Sequence, residues 1–127
     1  MANTFTKIAT VTVTLGATGT IDFTSIPSTY TDICILASLR DVNGNIATNL
    51  SFTLNSSSSS FSGRWVGGNG SSPINGTWSS STEGAIPAQN ATANTFGNLM
   101  MYLPNYASSN YKAISTDSVT ENNSTTA

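Results

Sequence analysis

The apolar positions of this chain recur mostly every second residue. Over 5–13, Phe5, Lys7, Ala9, Val11 and Val13 share one parity, and Thr6, Ile8, Thr10 and Thr12 share the other. That is the period of a strand, in residues whose branched β-carbons suit a pleated surface. Residues 15–19 predict a turn. Residues 20–24 predict a short second strand, with Ile21 and Phe23 inward and Asp22 outward, so the two form a hairpin. The most apolar run covers 33–39 and holds one polar residue, Ser38. Ile33, Ile35, Ala37 and Leu39 make a fully apolar face, while Cys34 and Leu36 make the other face half apolar. A strand apolar on both sides predicts the centre of a sheet rather than its edge.

The remaining pattern is shorter. Asp41-Val42-Asn43-Gly44-Asn45 holds the Asn-Gly pair that marks a hairpin turn. It lacks the further spacing and distal Glu of a calcium loop. Residues 49–54 follow as a strand with Leu50, Phe52 and Leu54 inward, and 55–60 is a serine-rich loop. Residues 61–66 form a short strand with a glycine-rich tail. From 73 to 94 the chain reads as polar and irregular, with one short strand around Thr77-Trp78-Ser79. A loop that long is usually functional or partner-bound. Residues 95–103 are a second apolar run, 104–110 a turn, and 111–116 a strand, with Val119 assigned to another. The polar end, 122–127, is expected to fray. Seven or eight strands without a helix predict an all-β, antiparallel β-sandwich of jelly-roll-like form, in one domain over 1–127.

Composition changes the picture in two ways. Charged residues are 8% of the 127, and net charge is only −2. Ser, Thr, Asn and Gly supply about half the chain, so hydroxyls and amides must wet the surface. Such a surface suits a subunit locked into an assembly, or a protein that works among sugars. The four basic residues, Lys7, Arg40, Arg64 and Lys112, are scattered. A phosphate backbone needs clustered cations, which rules out nucleic-acid binding. No apolar run approaches membrane-spanning length, and the first residues lack the pattern of a signal peptide. Synthesis in a cytoplasm is therefore expected, with no membrane partner. Seven Asn-x-Ser/Thr triplets follow from composition, since chance alone yields roughly four or five.

Chemistry is sparse. There is no histidine and a single cysteine, so histidine triads, histidine acid–base catalysis and thiolate zinc sites are excluded. Cys34, inside the apolar run, reads as a small buried hydrophobe. Of the carboxylates Asp22, Asp32, Asp41, Glu83, Asp117 and Glu121, most fall in turns or outward positions, where a glycosidase pair has no cleft. The expectation is no enzyme, no cofactor and no metal. The recognition candidates are Arg64, Trp65, Asn69 and Trp78. Indole faces stack on sugar rings, and Arg and Asn hydrogen-bond hydroxyls. The same residues also serve as core plugs or as subunit contacts, where Trp and Arg are enriched. The core reading has the better base rate, and the interface reading ranks above sugar binding in so uncharged a chain.

Five ordered segments carry a resemblance. They are Phe23-Thr24-Ser25-Ile26-Pro27-Ser28-Thr29-Tyr30-Thr31-Asp32-Ile33; Ser62-Gly63-Arg64-Trp65 with Gly68-Asn69-Gly70-Ser71-Ser72; Thr92-Ala93-Asn94-Thr95-Phe96-Gly97-Asn98; Tyr102-Leu103-Pro104-Asn105-Tyr106; and Val119-Thr120-Glu121-Asn122-Asn123. Together they resemble a family of virion structural proteins of tailed bacteriophages, of the aquatic and cyanobacterial phage type. The family implies a virion component and offers no catalytic residue to carry over. Similar proteins continue past the Asn-Asn segment with further apolar strands, whereas this sequence stops at Ala127, so that it is either a short form or a part of the protein. If the domain ends there, an inner strand with an open edge invites a neighbouring subunit to cover it.

These readings converge on a non-enzymatic virion subunit: a capsid decoration or cement protein, or a head or tail fibre domain. Its partners are other virion proteins, either the major capsid protein or tail and fibre subunits, together with further copies of itself, a trimer being the guess. The alternative is a carbohydrate-binding module that recognises host-surface glycans through Trp65 and Trp78. The first predicts exposed apolar area on the isolated subunit, and the second an exposed tryptophan in a shallow groove.

Overall fold

The computed structural model of the chain describes residues 5–14, 19–79 and 82–120, with the side chains at 82 and 83 set aside. Residues 15–18 of the turn expected over 15–19, Glu121 and the tail from 122 lie outside them. The described residues form seven strands: β1 (Ile33–Leu39), β2 (Ala47–Ser51), β3 (Gly63–Gly68), β4 (Pro73–Trp78), β5 (Thr82–Pro87), β6 (Gly97–Leu103) and β7 (Ser115–Val119). Every pairing is antiparallel, and no helix occurs among the described residues, so the fold is all-β as expected. The strands make three sheets, ordered β1-β6-β7, β2-β5 and β3-β4.

The middle of the largest sheet is β6, not β1. In register, Ile33 faces Leu103, Ile35 faces Met101, Ala37 faces Leu99 and Leu39 faces Gly97. Leu99, Met101 and Leu103 are 1–2% exposed and form the core, with Ile33, Ile35, Ala37, Leu50, Phe52, Leu54, Tyr106 and Ile114 packed against them. The inward residues of β1 are only half-buried, because β1 is an edge strand. Its two apolar faces suggested the centre of a sheet, but the outer face is uncovered. Leu36 is 74% exposed and Cys34 is exposed rather than buried, a second correction with the same cause.

Four other expectations fail. Residues 5–14 and 20–24 carry no strand and are exposed throughout, so the first hairpin is absent. Their alternation describes a half-buried surface, and nothing among the described residues provides the other half. The Asn43-Gly44 turn does not close a hairpin, since β1 pairs with β6 and β2 with β5. It is a crossover between sheets, shaped by its own side chains: Asp41 Oδ1 accepts from the Val42 N–H at 2.7 Å and Asn43 Oδ1 from the Asn45 N–H at 3.1 Å. It is then zipped to the segment after β5, where the N–H groups of Ala88, Gln89 and Asn90 each donate at 2.9 Å to the carbonyls of Ile46, Asn43 and Asn45. The polar stretch from 73 to 94 is no long loop, for it holds β4 and β5. Finally, the strand expected at 111–116 runs from Ser115 to Val119, and Val119 belongs to it.

Residues 49–54 keep the expected inward side chains, although the strand itself is Ala47–Ser51. The serine run begins with a tight reversal, in which Asn55 and Ser56 both take positive φ and the Ser57 N–H donates to Leu54 at 2.9 Å. Gly97 starts β6 where space is shortest, because a β-carbon there would lie 2.5 Å from Pro87 Cδ and 3.0 Å from the Val119 carbonyl oxygen. Only glycine admits this close approach of β5 and β7 to the central strand.

Candidate functional site

Two surfaces deserve description: the free-standing β3-β4 hairpin, which holds all four residues singled out from sequence, and the outer face of the β1-β6-β7 sheet, which holds none of them.

On the hairpin, Gly63 pairs with Trp78 and Trp65 with Gly76. Alternation puts both tryptophans on one face, on a diagonal, with Ile74 beyond them. Their rings stack with centroids 5.4 Å apart and planes 17° from parallel. Each ring also lies over the glycine across from it. A β-carbon at Gly63 would meet Trp78 at 2.7 Å, and one at Gly76 would meet Trp65 Nε1 at 2.6 Å. The glycines are therefore the floor on which the rings lie. Both indoles are half-buried by each other and by the backbone, not by a second layer. An isolated two-stranded hairpin is marginal in water, and this stack supplies the packing that a neighbouring sheet would otherwise provide.

The structure divides the other two candidates from the pair. Arg64 pairs with Thr77, on the opposite face from the rings. Asn69 sits in the 69–72 turn at the far end, six positions beyond Gly63, roughly 20 Å at strand rise. Its Oδ1 accepts from the N–H groups of Ser71 at 3.1 Å and Ser72 at 2.9 Å, and from the Ser71 hydroxyl at 3.1 Å, while Gly70 takes φ 90°. Asn69 therefore shapes a turn. At the open end of the hairpin, Ser62, Gly63, Arg64, Thr77 and Trp78 line a shallow, open depression. It brings together a guanidinium, two hydroxyls and an indole edge, and leaves Trp65 and Asn69 out.

The second surface comes from β1, β6 and β7. The outward side chains are Cys34, Leu36 and Ser38 on β1, Asn98, Met100 and Tyr102 on β6, and Ser115, Asp117 and Val119 on β7. Cross-strand register sets Cys34 beside Tyr102, Leu36 beside Met100, and Val119 beside Asn98. Leu36, Met100, Tyr102 and Val119 are all exposed large hydrophobics, with Val119 at 58%. Asp117, opposite Met100, is the one charged residue within the three strands, and the Asp32 carboxylate adjoins the same face at Tyr102. Parity along 33–39 already set Cys34, Leu36 and Ser38 on one face of their own strand. The pairing of β1 with β6, 58 or more residues later in the chain, was needed to join them with the outward side chains of β6 into one patch.

Two polar anchors frame that sheet, and sequence reading missed both. Asp32, just before β1, accepts from the Tyr102 hydroxyl and from the Asn105 N–H, each at 2.7 Å. The Asn105 N–H foremost, then the Tyr102 hydroxyl, holds the Asp32 carboxyl below its ordinary value. The same bond to Asp32 is the main cause that raises the Tyr102 phenol. Nearby, the Tyr106 hydroxyl donates to the Pro27 carbonyl, tying the chain before β1 to the end of β6. Just after β1, Arg40 donates to four backbone carbonyls: Thr92 and Thr95 at 2.8 Å, Ala91 at 3.0 Å and Gln89 at 3.1 Å. Thr95 Oγ1 completes the set at 3.1 Å. The planar fork thus fastens the 89–95 loop to the end of β1.

Among the described residues, no group of three or more His, Cys, Asp or Glu gathers where a metal ion could sit. No described helix is long and apolar enough to cross a membrane. Comparison with protein families, with curated proteins and with solved structures finds no match for this chain.

Proposed function

We propose that the chain is a non-enzymatic structural subunit of a tailed-phage virion, a capsid decoration or cement protein or a head or tail fibre domain. It works by laying its sheet surface on neighbouring virion subunits. The observation that carries this reading is the outer face of the β1-β6-β7 sheet, where Leu36, Met100, Tyr102 and Val119 stand uncovered beside the carboxylates of Asp117 and Asp32. An antiparallel sheet that faces water normally alternates apolar-in with polar-out. An apolar outer face is instead the mark of an interaction surface. The sparse charge of the whole chain supports the same reading, because neither a large like-charge field nor many desolvated ions oppose docking. The phage assignment itself rests on the five ordered segments that resemble the virion family.

The test is to sediment the purified chain with particles of its parent phage stripped of it and to count bound copies. Stoichiometric rebinding at high copy number is the expected result for a capsid decoration protein. A handful of copies would assign it to a tail or vertex position, and no rebinding would overturn the reading.

A second reading, glycan binding, has the depression beside Arg64, Thr77 and Trp78 in its favour. Against it, the faces of Trp65 and Trp78 are turned toward each other. Titrating host-surface polysaccharide against tryptophan fluorescence distinguishes the two, since sugar stacking at Trp78 shifts the emission and subunit docking in the absence of particles does not.

A further inference from the structure

The free edge of β1 and the unpaired segment at residues 5–13 are complementary halves of one contact. β1 is hydrogen-bonded to β6 on one side, and among the described residues no backbone bond reaches it from the other. Its inward residues Ile33, Ile35, Ala37 and Leu39 are half-buried, although their register partners on β6 are buried. Among the described residues no strand lies on their flank. Residues 5–13 have a strand's alternation and no strand partner. Phe5 is 80% exposed, Ile8, Val11 and Val13 are exposed, and no backbone hydrogen bond joins 5–14 to the rest of the described chain. Both an unpaired edge and an exposed β-branched segment are hazards that stable monomers avoid.

We propose that residues 5–13 of one copy add as a strand to the free edge of β1 in a second copy of this chain. The dimensions match. Nine residues span roughly 30 Å, enough to run the length of the seven-residue β1. The chemistry matches as well. With Phe5, Ala9, Val11 and Val13 turned inward, the segment extends the apolar layer of Ile33, Ile35, Ala37 and Leu39, and Lys7, of the same parity, lays its stem along that layer with its ammonium at the open edge. Ile8 and the threonines at 6, 10 and 12 then lie outward beside Cys34 and Leu36, where polar residues meet water and Ile8 widens the apolar patch. Lys7 is the one charge in the segment, and β1 has none, so pairing buries no opposed like charges. The bonds from Tyr106 to Pro27 and from Asn105 and Tyr102 to Asp32 pin the chain at the start of β1, while 5–14 stays exposed and free to reach another molecule.

This deepens the assembly reading by naming one of its contacts, and it rests only on the part of that reading in which copies of the chain associate. Reciprocal exchange closes a dimer, and one-way donation closes a ring. Either leaves the outer sheet face open toward a different virion protein.

Cys34 provides the test, since it is the lone cysteine and is exposed on the outer face of β1. In the full chain, Thr6, Ile8, Thr10 and Thr12 are replaced one at a time by cysteine, as are Ala9 and Val11 of the opposite parity. Each protein is oxidised, and its mass is read on a non-reducing gel. Directly opposed residues of paired strands fall within disulfide reach. The expected result is a covalent dimer from at least one of the first four variants, none from Ala9→Cys or Val11→Cys, and none in a Cys34→Ser background. Light scattering of the reduced wild-type chain gives an oligomer. Val11→Pro, which removes a ladder donor at a position exposed in the protomer, gives the 13.2 kDa monomer with an unchanged circular dichroism spectrum. A monomeric wild type overturns the proposal. So does a disulfide formed within one chain, which means the segment docks on its own β1, and so does cross-linking without parity. Failure of the particle-binding assay leaves these outcomes unaffected, so the two readings fail separately.

Discussion

The Tyr102 hydroxyl donates to Asp32 at 2.7 Å across the β1-β6 pair, and the Asn105 N–H reaches the other oxygen of the same carboxylate at the same distance. One half-buried side chain thus ties the start of β1 to the strand at the centre of the sheet and to the turn that follows it.

A pH dependence follows from that carboxylate. The folded state holds Asp32 below its ordinary value of 3.8. Its contribution to stability is therefore present above that value, and it disappears as pH falls through the lower folded value. Tyr102 is raised above its ordinary 10.0, so its contribution is present below 10 and disappears as pH rises through the higher folded value. Urea midpoints measured from pH 2 to 11 will fall at both ends. Asp32→Asn will flatten the acid limb, and Tyr102→Phe the alkaline one.

Arg40 makes a sharper prediction for stability. Its guanidinium satisfies four carbonyls of the 89–95 loop in a partly buried setting. Arg40→Ala leaves those acceptors without their cation and will cost about 2–4 kcal/mol, given about 1.5–3 kcal/mol for a charged hydrogen bond and partial rescue by water. Lysine cannot reproduce the fork, so Arg40→Lys will recover less than half of the loss. Chemical denaturation measures both, and hydrogen exchange at Ala91 and Thr95 will rise in step.

The stacked indoles have a spectroscopic signature. Two tryptophans 5.4 Å apart couple electronically, and the far-ultraviolet circular dichroism will show a paired band. Trp65→Phe and Trp78→Phe will each abolish it. Gly76→Ala, with its β-carbon in the place of Trp65 Nε1, will lose it as well and will loosen the hairpin without unfolding the β6 core.

Leu36 and Leu99 have the same side chain and opposite environments. Leu99 is 2% exposed at the centre of the core, and Leu99→Ala will cost about 2–5 kcal/mol. Leu36→Ala will change stability by less than about 0.5 kcal/mol, as ordinary for an exposed position. Leu36→Asp will keep the fold but weaken binding to stripped particles at least tenfold, by desolvating a charge at the contact. Equal affinity for wild type and Leu36→Asp would remove the outer sheet face from the contact.

The recognition quartet shows how far sequence reading reached. Trp65 and Trp78 lie on one face of the hairpin because the β3-β4 register puts them there. That Trp78 sits opposite Gly63 and Trp65 opposite Gly76 depends on register, which the 69–72 turn sets and composition does not reveal. Arg64 parts from the rings by parity, and Asn69 by distance. Arg40 and Asp32 gave no signal, because a residue that caps backbone groups from another segment is recognisable only once that segment is in place.

Sequence alone determined the class of the fold. Short alternating runs broken by Gly, Asn and Ser leave no helical stripe to bury, so an all-β, antiparallel chain follows from local periodicity. Sequence alone also determined which residues of 33–39 and 97–103 share a face. Tertiary structure decided which run occupies the middle of the sheet, since 33–39 and 97–103 are both apolar enough and only pairing makes β6 the centre and β1 an edge. It decided that the Asn43-Gly44 turn crosses between sheets, that Cys34 and Leu36 face outward, and that 5–13 remains without a strand beside it. The physical reason is common to all four. Alternation fixes a strand's faces relative to itself, whereas burial and pairing are set by non-local neighbours.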